Sequence, residues 1–187
     1  MRLFTAIDLP PQTAATLDAL LAQLRPSARV RWSRAANLHI TTKFIGEWPS
    51  ERLGELVAAL TELVPGTGEI EIALRGLGWF PNPRHPHVLW VGVHAPRSLE
   101  ALARSTDEAA ASLGIPRETK PYIPHLTLAR IDARKDSADT IDSLRRAVAA
   151  IPEPECGAFT AREWHLYLSE PSPTGSRYTK LETFPLS

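Results

Sequence analysis

Two short stretches hold the residues best suited to chemistry. Asn37-Leu38-His39-Ile40-Thr41-Thr42-Lys43-Phe44 and Pro124-His125-Leu126-Thr127-Leu128-Ala129-Arg130 each set a histidine and a threonine two residues apart, with a large aliphatic residue between them. Successive side chains on a strand point to opposite faces. Each histidine therefore shares a face with its threonine, while Leu38 and Ile40, or Leu126 and Leu128, point into a core. Two such strands facing one another would put two imidazoles and two hydroxyls around one small cleft. An unperturbed imidazole has a pKa of about 6.5, so near neutrality one can be protonated and the other neutral. An in-line displacement at phosphorus needs a proton taken from the attacking oxygen and another delivered to the leaving oxygen on the opposite side. Threonine hydroxyls can donate to the non-bridging oxygens as charge builds there, and Arg130 or Lys43 can add positive charge. Such a site needs no metal or other cofactor. Its natural substrate is a phosphodiester that is already reactive, and a strained cyclic phosphate qualifies.

His-x-Thr alone is a weak signal in a chain with six histidines, so the argument rests on the elements that carry the two copies. Leu3 to Leu9 reads as a buried strand closed by Pro10-Pro11. Ala14, Leu17, Leu20, Leu21 and Leu24 recur at helical spacing, and Pro26 stops that helix. Val30 to Gly46 places the first motif on a strand, with a polar break near Ser33 to Asn37. Ser50 can cap a second helix with Leu53, Leu56, Val57, Leu60, Leu63 and Val64 on one face, ended by Pro65-Gly66. Glu69 to Leu77 alternates as a strand, and Pro81 to Pro86 is a loop rich in breakers. Val88 to Val93 is the next strand, followed by a helical stripe of Leu99, Leu102, Ala103, Ala109, Ala110 and Leu113 with Gly114 after its end. Ile123 to Ile131 holds the second motif, and Ile141, Leu144 and Val148 mark a helix that Pro152 stops. Phe159 to Leu168 reads as one strand, with a turn over Pro171-Ser172-Pro173-Thr174-Gly175 and a last strand near Tyr178 to Phe184.

The two halves share one order: strand, helix, motif strand, helix, strand. Leu3 precedes His39 by 36 residues and Val88 precedes His125 by 37. Both motifs thus fall on the same element of an approximate repeat, 1–80 and 86–170, with a C-terminal strand at 177–185 and a joint near Pro81 to Pro86. We expect residues 1–187 to form one bilobal domain. The absence of a Gly-rich loop after any strand weighs against a nucleotide-binding α/β fold.

Composition narrows the classes further. Hydrophobic content of 43% and charged content of 22% are ordinary for a globular chain with a substantial core. A net charge of zero argues against a non-specific nucleic-acid binder while leaving room for a local basic site. The single cysteine, Cys156, excludes an internal disulfide and a multi-cysteine metal site. Asp8 and Pro10-Pro11 come too early for a signal peptide, and no apolar run approaches a membrane span. The expectation is a cytoplasmic, monomeric protein without a membrane partner.

The chain resembles the two-histidine (2H) phosphoesterase superfamily, and within it the bacterial and archaeal RNA 2′,3′-cyclic phosphodiesterases, also called 2′–5′ RNA ligases. The resembling stretches are Arg2 to Leu9, Asn37 to Thr41 through Phe44-Ile45-Gly46-Glu47, Phe80 to Arg84 through Val88-Leu89-Trp90, Pro124 to Arg130, and Arg177-Tyr178. They span nearly the whole chain in family order; Thr42-Lys43 departs from the aliphatic residue often found after the first threonine. The resemblance implies an α+β fold of two pseudo-symmetric lobes, each an antiparallel sheet with helices, around a central cleft with one His-x-Thr strand per lobe. It implies hydrolysis of RNA 2′,3′-cyclic phosphate ends to 2′-phosphomonoesters, with His39 as general acid, His125 as general base, and Thr41, Thr127 and Arg130 on the phosphate. Strict alternation from His125 puts Arg130 on the wrong face, so that role requires a bulge. Lys43, Phe80, Tyr122 and Tyr178 are candidate substrate contacts. Expected partners are RNA with cyclic phosphate ends or cyclic nucleotides, and reverse 2′–5′ ligation is an associated activity. The alternatives are a non-catalytic RNA-end binder and a 2H enzyme for 2′–5′ oligonucleotides or small cyclic nucleotides. His85-Pro86-His87 reads as a loop with no third ligand nearby, His94 and His165 as structural or exposed, and Trp32 and Trp79 as packing residues.

Overall fold

A computed structural model describes residues 1–187 apart from 64, 65, 67 and 174, so the expectations at Val64, Pro65 and Thr174 lie outside the described residues. The fold is α+β and built of two antiparallel sheets. In the first, of order β3-β1-β8-β9, β1 is Arg2–Ile7, β3 is Ile40–Glu47, β8 is Glu163–Ser172 and β9 is Gly175–Pro185. In the second, of order β2-β6-β5-β4-β7, β2 is Arg31–Trp32, β4 is Ile70–Phe80, β5 is Val88–His94, β6 is His125–Arg130 and β7 is Glu155–Ala161. The orders match position by position: β3 with β6, β1 with β5, β8 with β4, and β9 with β7. Each sheet therefore takes its third strand from the other half of the sequence.

Helices cross over in the same way. The helices are α1 (Pro11–Leu24), α2 (Leu53–Thr61), α3 (Arg97–Ser112) and α4 (Ala138–Ala150). α3 packs on β3, with α2 beside it, whereas α1 packs on β7 and against α4. The apolar stripes anticipated from spacing are the buried faces: Leu17, Leu20, Leu21 and Leu24 in α1, and Leu99, Leu102, Ala103 and Ala110 in α3. All of these but Ala103 join one continuous core with Leu3, Ile7, Ile40, Val91, Leu126 and Leu128 from the strands.

Two expectations about elements need correction. Phe159 to Leu168 is not one strand: the chain leaves β7 in the second sheet at Ala161 and enters β8 in the first at Glu163. Apolar residues resume directly beyond the polar pair Arg162-Glu163 because both strands face the same core, so hydrophobicity alone does not mark the change of sheet. Ser50 opens a turn of 3-10 helix, Ser50–Arg52, rather than capping α2, and its hydroxyl goes to Glu51 at 3.3 Å. Ser137 does cap α4, accepting from the Thr140 amide at 3.2 Å.

Candidate active site

His39 stands immediately before β3 and His125 opens β6. Both rings are half-buried and held by one device: Nδ1 lies 2.7 Å from the Asn37 carbonyl in His39 and 2.8 Å from the Ile123 carbonyl in His125, the residue two places earlier in each case. A carbonyl only accepts, so Nδ1 carries the hydrogen in both rings. Nε2 is then the atom left to exchange a proton. Asn37 is itself tied to β9 by its side-chain amide, which donates to the Ser176 carbonyl at 2.7 Å. The charge of each of His125 and Arg130 is felt at His39, so the two motif strands share one electrostatic site.

A bulge follows each motif at the same place. β1 pairs Thr5 with Lys43 and Ala6 with Thr41, leaving Thr42 without a partner; β5 pairs Leu89 with Ala129 and Trp90 with Thr127, leaving Leu128 without one. The extra residue switches the phase of the strand. Thr41 and Thr127 share the face of their histidines, as alternation predicts, and beyond the bulges that face passes to Phe44 and Arg130. This is the bulge that Arg130 requires. Phe44 is 55% exposed, an unusual state for a phenylalanine in a strand.

The same shift removes Lys43 from the cleft, correcting its expected place among the substrate contacts. Lys43 is 6% exposed on the far face of β3, where its ammonium donates to Asp107 of α3 at 2.6 Å and to the Pro116 carbonyl at 3.1 Å. Burial opposes ionisation of Asp107, but the Lys43 ammonium and the Glu118 amide hold its carboxyl below the ordinary value. The Tyr122 hydroxyl donates to the Thr41 carbonyl at 2.9 Å, fastening the loop before β6 onto β3. Burial pushes that phenol well above its usual range. Phe80 meets the His125 ring edge-on at 4.9 Å, and Tyr178 meets His39 edge-on at 5.3 Å. Phe4, at 4.8 Å, is a second wall of His39.

Burial lowers the proton affinity of both imidazoles; the carbonyl bonds work against it, and Arg130 adds to it. Arg130 lies directly opposite Arg31 in the β2–β6 pair. Burial and the fields of Arg31 and Arg2 lower its own proton affinity. Like charges set face to face across strands are unfavourable and suit a place meant for an anion. Among the described residues, no three of His, Cys, Asp and Glu come together as a metal site would require, and no helix is long and apolar enough to cross a membrane.

One group near the site was not anticipated. The Asp8 carboxylate receives the Tyr167 hydroxyl at 2.5 Å and the Lys180 ammonium at 2.8 Å, with His165 alongside at 3.4 Å. His165 is 2% exposed, and its Nδ1 lies 3.1 Å from the Thr183 hydroxyl. The signal for it in the sequence is slight: His165 and Tyr167 alternate on one strand as the motif residues do, and Asp8 ends the first.

Comparison with known proteins agrees with this architecture. The chain matches the family described as LigT-like phosphoesterase twice, over residues 7–90 and over 91–178. It belongs to that family. An RNA 2′,3′-cyclic phosphodiesterase of Methanothermobacter thermautotrophicus is 32% identical over 187 residues, covering 100% of this chain and 99% of the relative. One from Thermus thermophilus is 32% identical, with 100% and 90% covered. Among solved structures, TT0787 of Thermus thermophilus superposes with a TM-score of 0.82 at 30% identity, covering 100% of this chain and 98% of that one. E. coli LigT complexed with 3′-AMP superposes with a TM-score of 0.80 at 28% identity, again with 100% and 98% covered.

Proposed function

We propose that this protein hydrolyses the 2′,3′-cyclic phosphate at the end of an RNA chain to a 2′-phosphomonoester, with His39 as general acid and His125 as general base. The observation that carries this reading is the matched pair of Nδ1–carbonyl contacts. They leave two Nε2 atoms as the proton donor and acceptor that in-line displacement requires. Water attacks phosphorus as Nε2 of neutral His125 takes its proton. Nε2–H of the His39 imidazolium gives its proton to the ribose O3′ as the P–O3′ bond breaks, and the phosphate remains on O2′. Thr41 and Thr127 donate to the non-bridging oxygens, and Arg130 offsets their charge. Arg31, opposite Arg130, and Arg2 extend the positive field towards an upstream phosphate of a polynucleotide. Phe80 and Tyr178 hold the imidazoles at their edges and border the bound ribose. The names of the relatives support the substrate class; the direction of opening and the two histidine roles rest on the resemblance and the acid–base geometry. In 2′–5′ ligation the 5′-hydroxyl of a second RNA would replace water: it attacks the cyclic phosphorus as His125 takes its proton, His39 protonates O3′ as the P–O3′ bond breaks, and a 2′–5′ diester remains. The proposed setting is the cytoplasm, with the monomer as the working unit.

The test is to supply adenosine 2′,3′-cyclic phosphate, and a short RNA ending in one, in the presence of EDTA. Products are read by phosphorus NMR against authentic 2′- and 3′-phosphates. Turnover to the 2′-phosphate is expected. Predominant 3′-phosphate would reverse the histidine roles, and a rate that needs an added divalent cation would exclude the acid–base account.

A further inference from the structure

The two histidines are nearly equivalent by strand position, so something must decide which of them carries the proton. We propose that Asp8 is the positioning residue that makes this choice: its carboxylate, clamped by Tyr167 and Lys180, stands across the strand pair from His39, while the matching position opposite His125 is Gly92. The inference rests on the two-histidine reading and adds the group that breaks its symmetry.

Strand register places these groups. In the second sheet Val91 pairs with Leu126 and Gly92 with His125. In the first, the pairing ends with Ile7 opposite Ile40; continued by one step along both chains, that register would set Asp8 opposite His39. Asp8 alternates with Phe4 and Ala6, and Phe4 is the residue whose ring lies against His39, so the carboxylate shares the cleft face. A side chain of any kind is excluded at Gly92, where an added Cβ would lie 2.6 Å from the Arg75 carbonyl oxygen and 3.3 Å from Nε2 of His94, so the place that Asp8 has in the first sheet holds no carboxylate in the second but borders the His94 imidazole. The neighbouring strand repeats the contrast. His165 pairs with Ala6 in the first sheet; its counterpart Gly78 pairs with Trp90, whose indole would lie 2.1 Å from an added Cβ. A polar cluster therefore backs His39, and an indole fills the same place behind His125.

The cluster has the bonding of a fixed anion. Burial works against the Asp8 charge, but the bonds from Lys180 and Tyr167 hold its carboxyl below the ordinary value. The Lys180 ammonium also lies 3.3 Å from His165 Nε2. That nitrogen accepts, and Nδ1 of His165 donates to Thr183. His165, lowered by burial, is then neutral and does not cancel the carboxylate. The ionisable groups around His39 are Asp8 just past β1, His125 and Arg130 from β6, and Tyr178 with Lys180 from β9. Of these Asp8 alone is an acid that is ionised at neutral pH, and it works against the burial of His39. At His125 only Arg130 acts, in the opposite sense.

The test uses the full chain without substrate, following the His39 and His125 ring signals by NMR as pH is changed. Asp8→Asn keeps the shape and removes the charge. It should move the His39 titration to lower pH by about half a unit, less than the roughly 1–3 units of a directly paired charge because Lys180 and Tyr167 already hold the carboxylate, and leave His125 in place. Lys180→Met removes the cation that screens Asp8 and should move His39 to higher pH. A merely structural cluster would shift both variants the same way or neither. Either of those outcomes, or a shift confined to His125, overturns the proposal. On cyclic phosphate substrates, the alkaline limb of the rate profile should follow His39 downward in Asp8→Asn and upward in Lys180→Met. Should the protein turn over no cyclic phosphate, the NMR titration still decides the role of Asp8.

Discussion

Two places past each bulge from the motif threonine, β3 and β6 part company. At one stands Phe44, exposed and aromatic; at the other stands Arg130, facing Arg31. Before the bulges the strands are nearly copies: histidine clamped by the carbonyl two residues back, aliphatic residue into the core, threonine into the cleft. In the proposed mechanism the shared part moves protons, and the divergent part would grip unlike pieces of one substrate: a cation for phosphate on one side and a flat apolar surface for a base on the other. Pseudo-symmetry thus supplies a matched pair of acid–base groups, and its local failure supplies direction.

The largest effects test the shared part. His39→Ala and His125→Ala should each lower the rate by about 10²–10⁴-fold, the usual cost of losing a general acid or base, with unchanged circular dichroism. If one variant keeps near-wild-type activity, the strands are not functional copies. Next come the residues that differ. Arg130→Ala should weaken kcat/KM by about 10–100-fold on mononucleotide and oligonucleotide substrates alike, as loss of a charge-assisted phosphate contact does. Phe44→Ala should cost about fivefold or more through lost stacking, with a loss that depends on the terminal base. Equal, base-independent losses in the two variants would erase the distinction drawn between them.

Lys43 and its counterpart Ala129 differ in stability rather than activity. Lys43→Met strands the largely buried Asp107 carboxylate and should cost about 2–3 kcal/mol, below the full range for a broken buried pair because Asp107 is 16% exposed. For a domain of this size that is a fall in Tm of roughly 5–10 °C, read by calorimetry, with kcat on cyclic phosphate preserved.

The smallest effect concerns protons in folding. Burial holds His39 and His125 below the ordinary imidazole value of about 6.5. As pH falls through that value the unfolded chain takes up protons first, so stability present above 6.5 is lost progressively below it. Each of His39→Asn and His125→Asn should remove part of the drop in Tm between pH 7.5 and 5.5, about 2–3 °C at most.

Periodicity was enough to find the helices, since Leu17, Leu20, Leu21 and Leu24 obey a rule internal to one segment. The motif pairs were legible for the same reason: two residues apart on a strand means one face. Bulges were not, because register belongs to a pair of strands. Arg130 could be placed only by supposing a bulge, and nothing next to Thr42 announced its twin, so Lys43 was expected in the cleft and lies behind the sheet. The passage from β7 to β8 was hidden because apolar residues alternate on both sides of the polar pair Arg162-Glu163, which reads as a break of phase within one strand. Asp8 and Lys180 meet across 172 positions of chain, and no local pattern encodes such a contact.

The exchange of third strands bears on how the chain is made. Sheet two is fully translated once Ala161 has left the ribosome, since all its strands lie between Arg31 and that residue. Sheet one has β1 and β3 in hand by Glu47, yet the open edge of β1 waits for β8, which ends at Ser172. For most of synthesis, then, a hairpin bearing a finished His-x-Thr motif displays an unpaired apolar edge, the kind that recruits stray strands. A nascent chain stalled between Ala161 and Ser172 would hold both motifs and one complete sheet. We expect it to bind holding chaperones through β1 and to release them once β8 docks.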